Sequence, residues 1–106
     1  MQMFDPAKVD LVSLTPDGGT VRLYIVSESE WTGSDDQINS LQAKIHNYVG
    51  YAVDGPMAEA YPELRGLPWQ IVIRCRAGSP DPRTDQVVGQ LVGSVRQYGG
   101  DLIIEV

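Results

Sequence analysis

Two stretches with apolar residues at helical spacing alternate with short strand-like stretches, and this alternation constrains the fold more than any other feature. Between residues 38 and 52, apolar side chains recur every three or four positions, which predicts an amphipathic helix. It follows Ser34-Asp35-Asp36-Gln37, where the Ser34 hydroxyl can cap the backbone and the Gln37 side chain can reach back. Gly55-Pro56 then ends the helix.

The second helical stretch lies near the end of the sequence. Asp81 is its predicted N-cap and Pro82 its first helical residue. Gly99-Gly100 ends it. Gly89 and Gly93 lie one helical turn apart, which predicts a close approach to another helix. The predicted apolar stripe consists of Val88, Leu91, Val92, Val95 and Tyr98.

Four further stretches have the pattern of strands. Residues 8–15 and 20–27 flank a Pro16-Asp17-Gly18-Gly19 turn and predict a β-hairpin. Residues 69–77 alternate between apolar and polar side chains, so one face of this strand is predicted to be buried. Residues 101–106 form the last strand. Since this strand is apolar on both faces, we expect it at the centre of the sheet.

The predicted order is therefore ββαβαβ, within a single domain of residues 1–106. Each helix has one apolar stripe, so the favoured architecture is an α+β two-layer sandwich. It has a four-stranded mixed sheet with both helices on one face. The strand order stays open at this point, because right-handed crossovers place both helices on one side only for certain orders.

Such a sandwich leaves one sheet face without helices, and we predict a protein-binding or dimerisation face there. Arginine and tyrosine are enriched at interface hot spots, and aliphatic residues supply apolar area. The alternative is an ordinary solvated face with weak cross-strand ion pairs. The alternation also places Val26, Gln70, Asp101 and Glu105 on this face. Its candidate binding residues are Arg22, Tyr24, Val72, Arg74, Arg76 and Ile103.

The net charge of -6 disfavours binding to nucleic acid, which needs a concentrated positive field. One cysteine and one histidine allow neither an internal disulfide nor a zinc cage. No stretch is apolar enough to span a membrane, so we expect a cytoplasmic location and no membrane partner. Phosphate-cradling and dinucleotide motifs are absent from the sequence, so no cofactor is predicted.

Other candidate chemistry has simpler explanations. Cys75 falls on the buried strand face and His46 at the border of the helix stripe, so neither is predicted to be catalytic. An acidic cluster around the first helix start lacks calcium-loop spacing, and no metal site is predicted. The cluster consists of Glu28, Glu30, Asp35 and Asp36.

Three aromatic residues flank the predicted elements: Trp31, Tyr61 and Trp69. They are candidates for the rim of a small-ligand pocket, although such aromatics more often close the edge of a core.

The chain also resembles a family of uncharacterised bacterial proteins of about this length, a domain of unknown function. The resemblance rests on Trp31, the Leu41-Gln42-Ala43-Lys44-Ile45-His46-Asn47-Tyr48 helix segment, Gly55, Tyr61-Pro62, Gly66 and Pro80. His46 stands where such sequences are expected to have asparagine. The resemblance implies a bacterial, cytoplasmic, stand-alone protein. It transfers no site residues, since the family has no established activity.

We therefore rank a non-catalytic binding module first, either an accessory protein or an immunity-like one that neutralises a basic partner. A homodimer formed through the sheet face, with a ligand at the aromatic rim, comes second. An enzyme comes third, because the chain offers carboxylates without a clear acid–base pair.

Overall fold

The computed structural model describes residues 11–28 and 30–106 and consists of one sheet and one helical layer. Residues 8–10 of the predicted first strand lie outside the described residues. The elements are β1 (Leu11–Leu14), β2 (Val21–Ser27), α1 (Asp35–Val53), α2 (Pro56–Ala60), a 3-10 turn (Pro62–Leu64), β3 (Trp69–Cys75), α3 (Pro82–Gln97) and β4 (Gly100–Glu105).

The strands lie in the order β1-β2-β3-β4. The pair β1–β2 is antiparallel, and β2–β3 and β3–β4 are parallel. Both crossovers step in the same direction across the sheet, so crossovers of the same hand place α1 and α3 on the same face. The predicted α+β sandwich with a mixed four-stranded sheet is confirmed, with the short α2 as an addition.

The predicted central position of the last strand is wrong, because β4 lies at the edge of the sheet beside β3. Its Leu102 is buried, whereas Ile103 and Ile104 are only half-buried. Ile104 packs against the core, and Ile103 lies on the opposite face. This edge strand is therefore apolar on both faces because each face is partly covered.

The hydrophobic core lies between the sheet and the helices. Alternate residues of β2 and β3 face α1 and α3, and Cys75 is among them, as predicted. Tyr48 of α1 is fully buried, and its hydroxyl donates a hydrogen bond to the Tyr24 backbone carbonyl over 2.6 Å. This bond joins the longest helix to β2.

The predicted cap of α1 is confirmed and extends further back than a capping box. The Ser34 hydroxyl accepts from the Gln37 backbone N–H at 3.2 Å. The buried Gln37 amide accepts from the Thr32 N–H at 2.8 Å and donates to the Glu30 carbonyl at 3.0 Å. One side chain therefore satisfies backbone groups of the loop between β2 and α1.

The second long helix, α3, begins where the sequence predicts, but its packing differs from the prediction. The Asp81 side chain accepts from the Thr84 N–H at 3.1 Å, which confirms the N-cap. Tyr98, placed on the apolar stripe, is instead exposed at the end of α3. The close helix approach predicted at Gly89 and Gly93 is wrong, since no described atom lies within 4 Å of a Cβ built at either position.

Candidate functional site

The sheet face opposite the helices carries its side chains in three rows across β2, β3 and β4. Register pairs Arg22 with Gln70 and Gln70 with Asp101 in the first row. The second row is Tyr24, Val72 and Ile103. The third row is Val26, Arg74 and Glu105. Together with Arg76, just beyond β3, we call these residues the arginine face.

Tyr24 lies at the centre of the arginine face between two guanidinium groups. The Arg74 Cζ atom lies 4.6 Å from the centroid of the Tyr24 ring, and the Arg22 Cζ atom lies 5.7 Å from it. The Arg22 guanidinium also donates to the Tyr24 hydroxyl at 3.3 Å. Cations at these distances from a ring centroid are attracted to its electron-rich face.

Glu105 connects both arginines from the neighbouring edge strand. Its carboxylate lies 2.8 Å from an Arg74 nitrogen and 3.9 Å from an Arg22 nitrogen. Arg22 donates a further hydrogen bond to the Gln70 side chain at 3.0 Å. A single surface ion pair contributes little stability. Here several contacts fix the same two guanidinium groups, so less side-chain entropy remains to be lost on binding.

The apolar row is more deeply buried than the sequence suggests. Tyr24 is 6% exposed and Val72 is 0% exposed, so neither supplies free apolar contact area. Ile103 and Val26 are half-buried and do supply it. Arg76 is exposed, and its guanidinium lies 3.8 Å from the carboxylate of Glu28, which is also exposed. The accessible features of this side of the sheet are therefore the guanidinium groups and three aliphatic side chains, Ile103, Val26 and the 48% exposed Leu11 of β1, which is the register partner of Tyr24.

The three predicted rim aromatics do not meet. Trp69 begins β3, and Trp31 lies beside Cys75 at the other end of the same strand. Six residue steps along a strand separate the two ends by about 20 Å. Tyr61 is exposed and lies near Tyr51. Burial of Tyr51, and after it the electrostatic repulsion from Tyr61, raises the pKa of Tyr51. One pocket rimmed by all three aromatics is not formed.

The acidic cluster near the start of α1 is divided among arginines. Asp35 pairs with Arg83, and Glu28 pairs with Arg76. Within residues 11–28 and 30–106, no group of three or more His, Cys, Asp or Glu residues is arranged to hold a metal ion.

Cys75 and His46, the candidate nucleophile and base, lie in different environments. Burial raises the pKa of the Cys75 thiol, and a hydrogen bond with Trp31 offsets part of this rise. A raised pKa lowers the thiolate fraction and with it the reactivity of the sulfur. His46 is exposed on the helical layer, on the other side of the core from the arginine face.

Comparison with known proteins identifies the family of this chain from a match over its whole length. A family model described as a family of unknown function (DUF6572) matches residues 1–106. The chain belongs to this family. A search of curated proteins and a search of solved structures each found no match. In the described part of the chain, none of the helices has the length and apolar character needed to cross a membrane.

The sequence pattern predicts which residues share this sheet face, and it does not reveal how they are connected. The role of Glu105 depends on β4 lying beside β3, which no local pattern reveals. The sequence does carry the alternation that places Arg22, Tyr24 and Arg74 on one face, because side chains on a strand alternate strictly.

Proposed function

We propose that this chain is a non-catalytic protein-binding module of a bacterial cytoplasm and that it docks its partner on the arginine face. The observation that carries the proposal is the pair of guanidinium groups held on the Tyr24 ring by Glu105. Arginine and tyrosine are the residues most often found at hot spots, and a preformed arrangement lowers the cost of binding.

The chemistry of the face defines the surface that fits it. Three of the six arginines of an acidic chain lie there, with Ile103 and Val26 beside them. A complementary partner presents carboxylates toward the guanidinium groups and an apolar side chain toward Ile103. The burial and raised pKa of Cys75 support a binding role over covalent catalysis.

The test is an affinity capture with a variant that inverts the face while keeping its ion pair. Arg74→Glu together with Glu105→Arg retains one carboxylate and one guanidinium at about the same place. The double variant Arg74→Glu with Arg76→Glu is a less suitable test by itself, since it places a new carboxylate at position 74 beside the carboxylate of Glu105. The matched control is Arg83→Asp with Asp35→Arg, which swaps another surface ion pair, the one between the first turns of α1 and α3.

Wild-type chain and control are expected to retain the same partner from the source lysate, and the Arg74/Glu105 swap is expected to lose it. With the partner purified, titration is expected to show binding at least about 30-fold weaker for the swap, equivalent to a hot spot of about 2 kcal/mol. Circular dichroism checks that all three baits are folded. Equal binding by the swap, or no partner for folded wild-type bait, would overturn the proposal.

A further inference from the structure

An open groove runs between α1 and α3 on the outer side of the helical layer. It has a volume of about 520 Å³, and most of its lining is apolar. Ala43 and His46 line it from α1, and Leu91, Ser94 and Tyr98 line it from α3. The groove continues along α1 to Val53 and Asp54, and Tyr98 borders both parts. It lies on the opposite side of the molecule from the arginine face.

The two helices are almost free of charge along this groove. Residues 86–95 of α3 contain no Asp, Glu, Lys or Arg, and residues 37–53 of α1 contain only Lys44. Lys44 is 2% exposed, so it contributes no charge to the surface. The chain as a whole is 21% charged. Solvated helix faces normally carry charges, whereas depletion of charge marks the centre of an interface.

The same surface exposes apolar side chains beside the groove. Tyr98 is 57% exposed and Val53 is 43% exposed. Each molecule therefore offers both a cavity and a protruding aromatic side chain at its border.

We propose that the groove is an interface between two copies of this chain, related by a twofold axis. Both copies carry a net charge of -6 and repel each other at long range. Among the described residues that line the groove between α1 and α3, none is Asp, Glu, Lys or Arg, so two copies that meet there bring no carboxylates together in that part. A twofold arrangement is self-complementary, so each Tyr98 enters the groove of the other copy.

The size of the surface sets the expected strength. Helix α1 has 19 residues and α3 has 16, so their mean length is about 26 Å, and two packed helices span about 20 Å, which gives roughly 500 Å² per copy. Two such surfaces together bury about 1,000 Å², the size of weak and transient interfaces. We therefore expect a reversible dimer with a dissociation constant at or above micromolar concentration and below about 1 mM.

The test is sedimentation equilibrium over a series of concentrations up to about 1 mM. Ala43→Glu with Ser94→Glu adds two carboxylates to each copy inside the groove. Both residues are exposed, so the fold is expected to be retained. The matched control is Ala77→Glu with Ser79→Glu, the same two changes at exposed positions of the loop before α3.

Wild-type chain and control are expected to dimerise with similar constants, and the groove variant is expected to dimerise at least 10-fold more weakly. A wild-type chain that stays monomeric throughout the series overturns the proposal. So does a groove variant that dimerises as well as the control, which would place the contact on another face. Equal weakening by both variants also overturns it, since only the added charge would then matter. None of these outcomes depends on the arginine face.

Discussion

Replacing Gly100 with alanine tests how closely the two parallel strands β3 and β4 are packed at their beginning. Gly100 is the register partner of Trp69, and a Cβ atom built on it lies 2.4 Å from two carbon atoms of the indole ring. Carbon atoms in ordinary contact are about 3.5–4.0 Å apart. The backbone at Gly100 has no positive φ, so alanine suffers no conformational penalty there.

The overlap alone therefore determines the cost. Overpacking of a buried site costs about 1–3 kcal/mol, and reduced entropy of the unfolded chain returns about 0.4–1 kcal/mol. Trp69 is in the core and cannot simply swing into solvent. We expect Gly100→Ala to lower the free energy of unfolding by about 1–2 kcal/mol. With a typical urea slope of about 2 kcal/mol per molar, the midpoint falls by roughly 0.5–1 M.

Urea denaturation followed by circular dichroism measures the change, with Gly93→Ala as the matched control. Gly93 is exposed on α3 with open space at its Cβ position, so alanine is expected to stabilise the helix there by about 0.5–1 kcal/mol. In a Trp69→Leu background, the cost of Gly100→Ala is expected to fall sharply. A Gly100→Ala protein as stable as wild type, or a cost unchanged by Trp69→Leu, would refute the reasoning.

Three further substitutions test the polar contacts of the fold by urea denaturation. Gln37→Leu is expected to cost about 1–2 kcal/mol, because part-buried backbone groups of Glu30 and Thr32 lose their hydrogen bonds to the buried Gln37 amide; a cost below about 0.5 kcal/mol would contradict this. Tyr48→Phe removes the bond to the Tyr24 carbonyl and is expected to cost about 1 kcal/mol, whereas no change would show that the bond adds nothing. Asp81→Ala removes the cap of α3 and is expected to cost about 1 kcal/mol at pH 7. The hydrogen bond from Thr84 holds the pKa of Asp81 below its ordinary value of 3.8, so this contribution is present above that pH and is lost as the pH falls further. The difference between wild type and Asp81→Ala is therefore expected to shrink at pH 3, and an equal difference at both pH values would argue against the assignment.

Local signals in the sequence predict α1 and α3 and their ends correctly. The Ser34 and Asp81 caps, the Gly55-Pro56 stop and the apolar stripe of α1 each depend on residues within one or two turns. The position of β4 does not depend on local signals. Apolar residues on both faces of a strand fit a central strand and a partly covered edge strand equally well, so Ile103 and Ile104 do not decide between the two positions.

The candidate site is divided in the same way. Strand alternation places Arg22, Tyr24 and Arg74 on one face without knowledge of the strand order. The link from both arginines to Glu105 requires the register between β3 and β4, which brings together residues far apart in the sequence. Trp31 and Trp69 share no pocket because they lie at opposite ends of β3. Only the three-dimensional structure reveals this separation.

The buried thiol at the end of β3 has a practical consequence. Cys75 is the only cysteine of the chain, is 4% exposed and has a raised pKa, so a thiol reagent is expected to modify it only when the carboxyl end of β3 opens. If closing is faster than modification, the modification rate reports the free energy of that opening. The unaltered molecule thus carries a chemical probe of its own opening at the point where α1, β2 and β3 meet.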